Sequence, residues 1–355
     1  MKVAVLSFAH EDAAAYVRLL RDMPGVDLIT ADPGGPPGDP ARGRAAAGRL
    51  GVAYADGWDE AFAQRPGAVV VTSEAARRRE LVERAARTGA HVLCAFPSAT
   101  DEAGARAAAD ACEAAGVGLT LALPACFGPA FAAVRRAVAE GDAVGRLTTL
   151  HGAYDGGPGT GGPDGGGVLA THAPVLLALA DMVLGGEPAE QVYAQANGVL
   201  GGSGEPGAES AALVSVRYAS GAVAAFDCSR RPPANGPSVN GPSVNGAPAD
   251  GPWAGGPVMT FVGDRGSVEF TPTPRLLGGF DAATATERWE PGGVDLRAAM
   301  LDAFLASAGH GKPTEPNGPD GATGVRTMRI IHAAYESVHT GQPVDLAAAP
   351  TWRRA

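Results

Sequence analysis

The chain has 355 residues, 45% of them hydrophobic and 19% charged, with 28 Lys and Arg against 38 Asp and Glu and a net charge of −10. That length accommodates two domains with sizeable cores, and the acidic balance argues against nucleic acid or an anionic membrane as partner. Four cysteines (94, 112, 126, 228) have neither C-x-x-C nor metal-type spacing, and no apolar run is long enough for a membrane span or a signal peptide, so a metal-free, reduced, soluble and cytoplasmic protein is expected.

Up to residue 123 the sequence alternates between two periods. "KVAVLSF", "VDLITAD", "GAVVVTS", "HVLCAF" and "VGLTLAL" are continuous apolar runs that predict buried strands. Between them, "EDAAAYVRLLRDM", "ARGRAAAGRLG", "WDEAFAQR", "AARRRELVERAARTG" and "TDEAGARAAADACEAAG" predict helices, the last capped by Ser98 or Thr100. Buried strands alternating with helices predict an α/β domain with a doubly wound parallel sheet over 1–123.

From residue 124 to 347 the pattern predicts an α+β domain. "PAFAAVRRAVAEGDAVG" reads as a helix and "RLTTLHGAYD" as a strand. A Gly-rich loop (155–167) leads into "VLATHAPVLLALADMVLG", read as one long, almost wholly apolar helix. "EQVYAQANGV", "SAALVSVRYASG", "AVAAFDCSR", "VMTFVGDRG" and "SVEFTP" alternate as strands, with "YASGAV" and "GDRGSV" as hairpin turns, so a large, mostly antiparallel open sheet follows. Two helices, "DLRAAMLDAFLASAGHG" and "GATGVRTMRIIHAAYESVHTG", close the chain before a tail at 348–355. Residues 230–257 contain the tandem copy "GPSVN GPSVN" in a Pro/Gly/Asn-rich setting, expected to be a disordered surface loop with no function of its own.

Strand–helix alternation followed by "HVLC·FP·AT", "GGG·L··H", an antiparallel sheet and the closing "AAYESVHTGQPVDL" resembles the Gfo/Idh/MocA family of NAD(P)-dependent oxidoreductases, from Lys2 to about Leu346. The resemblance implies a Rossmann domain, a substrate domain whose open sheet pairs subunits into a homodimer or homotetramer, and a sugar, inositol or related small-molecule substrate. It also implies which positions bear the chemistry, and at those positions this chain differs. The first βα turn, G-x-G-x-x-G in the family pattern, is here Ser7-Phe8-Ala9-His10-Glu11-Asp12. Ser7, Phe8, Ala9 and His10 would line the cofactor, while Asp12 either faces a phosphate or caps the helix itself. Asp32 matches the acidic residue that binds the adenosine ribose, which favours NAD over NADP; as a residue before Pro it also suits a plain turn.

In the family's fourth-strand motif the chain has Ser73, Glu74 and, at a histidine position, Arg78. Where the family has Glu-Lys-Pro, with a lysine that contacts nicotinamide and substrate, it has Ala95, Phe96 and Pro97. The helical D-x-x-x-H becomes Thr171 and Val175, and the earlier "N·R·F·P" region, Pro124 to Pro129, has Phe127 but no Arg. His172 lies about 100° around the helix from Thr171; it reaches the cleft or else packs under the Gly-rich loop. Cys126 reads as a plain buried cysteine.

Three functions are consistent with these residues. The first is a divergent NAD(P)-dependent oxidoreductase with a rebuilt site, acting on a sugar-like or natural-product-like molecule, with His172, Tyr154 and Asp155 as candidate proton carriers. The second is a non-redox elimination, cyclisation or isomerisation in the same cleft, lined by Phe96, Phe127 and Val175, with or without a cofactor. The third is a ligand-binding or regulatory homologue without turnover.

Overall fold

In a computed structural model the described residues are 1–36, 38–141, 144–156, 166–199, 208–230, 256–272, 277–281, 286–290, 294–309 and 318–346. The first domain runs β1 (Lys2–Leu6), α1 (Ala13–Asp22), β2 (Asp27–Ala31), α2 (Gly43–Leu50), β3 (Ala53–Ala55), α3 (Trp58–Ala63), β4 (Ala68–Val71), α4 (Ala75–Arg87), β5 (His91–Ala95), α5 (Glu102–Ala114) and β6 (Leu119–Ala122). Its strands pair in parallel in the order β3-β2-β1-β4-β5-β6. All four residues of β4 and all five of β5 are buried, because helices cover both faces of the sheet. α1 buries Ala13, Tyr16, Val17 and Leu20, the i, i+3, i+4, i+7 spacing of a helix packed along one stripe. β1 and β4 lie side by side while their helices leave in opposite directions, so a crevice opens beyond their C-terminal ends.

A 3₁₀ turn (Pro124–Phe127) and α6 (Pro129–Glu140) lead into the second domain. It contains β7 (Leu147–Gly156), α7 (Val168–Thr171), α8 (Ala173–Val183), β8 (Ala189–Asn197), β9 (Ala211–Tyr218), β10 (Val223–Arg230), β11 (Pro257–Gly263), β12 (Ser267–Phe270), β13 (Leu277–Asp281) and β14 (Thr286–Glu290). α9 (Leu296–Gly309), α10 (Gly321–Thr340) and β15 (Val344–Asp345) complete the chain. Seven strands form a sheet in the order β12-β11-β7-β10-β9-β8-β15, antiparallel except for the β7–β10 pair. Along β9 burial strictly alternates, with Ala212, Val214, Val216 and Tyr218 inward, as expected when one face is covered and the other open.

Three details differ from the sequence expectation. The apolar helix expected over 168–185 is two helices, α7 and α8, broken at His172; Pro174 lacks an N–H and takes a first-turn position of the second helix. Asp101, not Ser98 or Thr100, caps α5, its carboxylate accepting the Gly104 N–H at 2.7 Å. The third difference concerns α9. Although it follows the second sheet in sequence, its Met300, Leu301 and Phe304 are buried in the core of α1, α2 and β1, so the chain returns to the first domain after residue 124. The loop at 231–255 and the tail lie outside the described residues. All four cysteines are free and buried, and burial pushes the Cys94 thiol up to about 12, which makes it inert as a nucleophile at neutral pH.

Candidate active site

Ser7 ends β1 with φ +81°, a left-handed conformation that glycine adopts without cost and other residues rarely take. Four hydrogen bonds hold it there. Its N–H donates to the Ala31 carbonyl at 2.6 Å, its carbonyl accepts the Thr72 hydroxyl at 2.8 Å, and its hydroxyl donates to Asp32 Oδ1 at 3.0 Å while accepting the Ala9 N–H at 3.1 Å. The glycine turn is therefore kept without its glycine. Phe8 is largely buried in the core around α1 and, with Ala9, His10 and Glu11, lines a cavity beside the turn. His10 anchors the turn to β4 through its N–H to the Thr72 carbonyl, and its Nδ1 accepts the Asp12 N–H at 3.2 Å. Burial, then the nearby Arg78 guanidinium, pushes His10 down to about 4, so it is neutral at physiological pH.

Asp12 stands at the N-cap of α1 but makes no side-chain cap. Arg297, reaching in from α9, places Nε and Nη2 each 2.7 Å from Asp12 Oδ1, and the Tyr16 hydroxyl lies 3.4 Å from Oδ2. The cap, one of the two roles the sequence offered for Asp12, is not made; an ion pair with Arg297, 285 positions away, takes its place. Glu11 beside it is raised above the usual carboxylate range by burial, then by the Asp12 charge.

Asp32 is in the expected place after β2 but is closed off. Its side chain is 0% exposed, and Arg42 grips it with Nε at 2.7 Å from Oδ2 and Nη2 at 2.9 Å from Oδ1. The Gly43 N–H adds a 2.9 Å bond. Burial alone would raise the carboxyl; these donors outweigh it and the net shift is downward. Arg42 also reaches Glu74 Oε1 at 2.9 Å, so Asp32, Arg42 and Glu74 form one network. Ser73 is buried, and its carbonyl accepts Arg78 Nε at 2.9 Å; Arg78 Nη1 donates to the Pro97 carbonyl at 2.7 Å. Arg78, itself buried, braces the β4 turn against the cis Phe96–Pro97 peptide.

At the other end of the crevice Ala95 is buried, and the Phe96 ring packs partly buried between the first-domain core and the second. Phe127 and Val175 lie against the same second-domain cluster. The Thr171 hydroxyl donates back to the Gly167 carbonyl at 2.9 Å, a local helix bond. His172 is 1% exposed and lies behind Tyr154, with ring centroids 4.5 Å apart. Burial, then Arg230, pushes its pKa down to about 4, against a hydrogen bond to the Ser229 backbone that raises it. Tyr154 faces the first βα turn: burial raises its phenol, and the carboxylates of Glu11 and Asp12 raise it further. Asp155, next along β7, takes the other face of the strand by alternation, with His151 and Ala153.

Of the expected proton carriers, then, only Tyr154 is brought into the crevice opposite the cofactor turn. Glu11, Arg42 and Arg297 belong to the site but were not expected from the sequence. Arg297 is 285 positions from Asp12, and no local pattern signals that pairing. Arg42 opens a helix ten residues after Asp32, a position that in retrospect identifies it. Among the described residues no group of three or more His, Cys, Asp or Glu could hold a metal, and no helix is long and apolar enough to cross a membrane.

A parallel sheet in 3-2-1-4-5-6 order, a tight turn over its crevice and a mixed-sheet domain closing the other side define a two-domain dehydrogenase-type fold. The model for the oxidoreductase family with NAD-binding Rossmann fold matches residues 38–123, and that for the GFO/IDH/MocA C-terminal domain matches 131–269. The chain belongs to the Gfo/Idh/MocA family of oxidoreductases. The first of these matches begins after the altered βα turn and Asp32, the part of the domain that departs most from the glycine pattern. No curated protein matches the chain in sequence.

Similar solved structures include GenD2 from gentamicin A biosynthesis in complex with NAD (21% identity, 98% of this chain and 97% of that one, TM-score 0.77). A myo-inositol dehydrogenase from Corynebacterium glutamicum is 19% identical over 98% of this chain and 99% of its own (TM-score 0.73). The scyllo-inositol dehydrogenase from Lactobacillus casei, with bound NAD(H) and scyllo-inositol, is 12% identical over 97% and 98% (TM-score 0.74). At these identities the likeness is one of fold.

Proposed function

We propose that this chain is a divergent NAD(P)-dependent oxidoreductase that acts on a small, weakly polar molecule, sugar-like or natural-product-like, through a site rebuilt around Tyr154. The observation that carries the reading is Ser7 at φ +81°, which preserves the backbone path of the glycine turn although the glycine is gone. The N–H groups of Phe8 and Glu11 have no hydrogen-bond partner among the described residues, and such donors suit a pyrophosphate over the α1 N-terminus. We take the cofactor to be NAD on the position of Asp32; release of Arg42 from that carboxylate would instead suit the extra phosphate of NADP.

When bound, the nicotinamide accepts or supplies the hydride. The chain supplies a pocket walled by Phe96, Phe127 and Val175 and a phenol held in its protonated form. A phenol raised above its ordinary value is a hydrogen-bond donor at neutral pH and a poor base, so Tyr154 favours the reductive direction, polarising a carbonyl, imine or activated alkene as hydride arrives. His172, neutral behind it, fixes the ring by stacking and takes no proton. The open face of the second sheet exposes Leu213 (58%) and Val223 (39%), and we place a second copy of the chain there; sedimentation of the full chain checks it.

Calorimetric titration with NAD+, NADH, NADP+ and NADPH tests the first half of the reading, with micromolar binding of one pair expected. Tyr154→Phe tests the second: turnover should fall about a hundredfold with cofactor affinity unchanged. Absence of dinucleotide binding up to millimolar concentrations would leave the non-redox reading, which the replacement of the family's Lys, Asp and His by Phe96, Thr171 and Val175 favours.

A further inference from the structure

The glycine turn carries a charge where the family pattern has none. Asp12 occupies the third glycine position, at the positive end of α1, where a carboxylate would repel the pyrophosphate expected there. Its charge does not stand alone, because Arg297 Nε and Nη2 both lie 2.7 Å from one of its oxygens. Nor is the arginine on a wandering loop. It sits in the first turn of α9, whose Met300, Leu301 and Phe304 are buried in the first-domain core, and whose Asp295 carboxylate accepts the Arg297 and Ala298 N–H groups at 2.9 and 3.1 Å. The pair is part exposed, at 34% for Arg297 and 17% for Asp12, so the guanidinium keeps part of its surface open to solvent. His10 is perturbed by both members of the pair, and Tyr154 of the second domain by Asp12.

Resting on the cofactor reading above, we propose that Asp12 and Arg297 act as one unit: Asp12 positions Arg297 at the phosphate end of the crevice, and Arg297 is the cation for the dinucleotide's pyrophosphate. A single glycine-to-aspartate change would harm phosphate binding; the second change, from the far end of the chain, converts it into a charge-matched seat. Docking of α9 and cofactor binding are then linked, each favouring the other.

The test is calorimetric titration of the full chain with the dinucleotide, with ADP-ribose and with adenosine, alongside melting temperatures, for wild type, Arg297→Gln, Arg297→Lys, Asp12→Asn and the Asp12→Asn/Arg297→Gln double variant. Arg297→Gln should weaken dinucleotide and ADP-ribose binding about tenfold or more, because it removes a charge-assisted contact and bares a carboxylate. Adenosine binding should not change. Arg297→Lys should recover most of the loss, Asp12→Asn should tighten binding several-fold, and the double variant should bind better than Arg297→Gln but more weakly than wild type, because the carboxylate is gone and so is the cation.

A lowered melting temperature in Arg297→Gln with unchanged dinucleotide affinity would reduce the pair to a structural tie and overturn the inference, while leaving the cofactor reading intact. If wild type binds no dinucleotide but Asp12→Asn does, Arg297 does not offset the Asp12 charge, and the inference is overturned. Failure of every variant to bind overturns both.

Discussion

At the phosphate end of the crevice the positions that the resemblance aligns with the family's glycines are Ser7, Ala9 and Asp12, and both polar side chains there have partners: Ser7 on Asp32 and Asp12 on Arg297. At the substrate end the positions that the resemblance aligns with the family's lysine, aspartate and histidine are Phe96, Thr171 and Val175. There the replacements pack into the cores, and the one remaining hydroxyl bonds its own helix. Substitution with compensation retains a binding geometry; substitution toward apolar groups retains a shape and gives up proton transfer.

The sharpest way to break the first half is at Arg42. Its guanidinium pairs with a carboxylate that has no exposure to water, and removing one member of a buried pair leaves an uncompensated charge. Arg42→Met should cost about 3 kcal/mol of stability, read as a fall in melting temperature, and Asp32→Asn added to it should recover most of that. If Arg42→Met melts like wild type, Asp32 is not sealed, and a ribose can reach it unaided.

A pH experiment sharpens the second half. The folded-state pKa of His172, near 4, lies below its unfolded value of 6.5, so folding favours the neutral ring. That contribution is complete above pH 6.5 and is lost as pH falls from 6.5 toward 4. One proton with this shift costs about 2 kcal/mol between pH 7 and pH 5. Thermal melts of wild type and His172→Gln at both pH values should show the variant losing less stability on acidification. Equal losses would mean that His172 titrates normally and is accessible as a proton carrier.

How much of this was readable in the sequence follows the range of the interactions involved. Continuous apolar runs identified β1, β4 and β5, because burial on both faces leaves no alternation to misread, and β2 and β6 were read from similar runs although they are less evenly buried. β3, only three residues long in "AYA", has too few residues to show a pattern. The break in the apolar helix was legible in Pro174, whose missing N–H fits a helix start and not a helix interior; apolar content masked it. Phe96, Thr171 and Val175 were legible in the sequence because each is a single residue at a fixed place in a motif. What compensates for them was not: the burial of His172 behind Tyr154 and the grip of Arg297 on Asp12 depend on strands and helices meeting across the chain.

The smallest expected effect is the most pointed. Phe96→Lys restores the one residue most closely tied to the family's chemistry, in a turn whose backbone Arg78 and Pro97 already hold in place. The ring is only partly buried, so the loss of apolar packing should cost about 1 kcal/mol, and the fold should survive. Turnover of an inositol or of glucose should nevertheless stay at background. A lone ammonium beside Thr171 and Val175 has no aspartate or histidine to pass a proton to, and groups that act as a unit do not recover one at a time. Adding Thr171→Asp and Val175→His to Phe96→Lys should then produce polyol oxidation linked to cofactor reduction, if the phosphate end has been kept as argued. Activity from Phe96→Lys alone would mean that the apolar lining is a single local change laid over an intact dehydrogenase site.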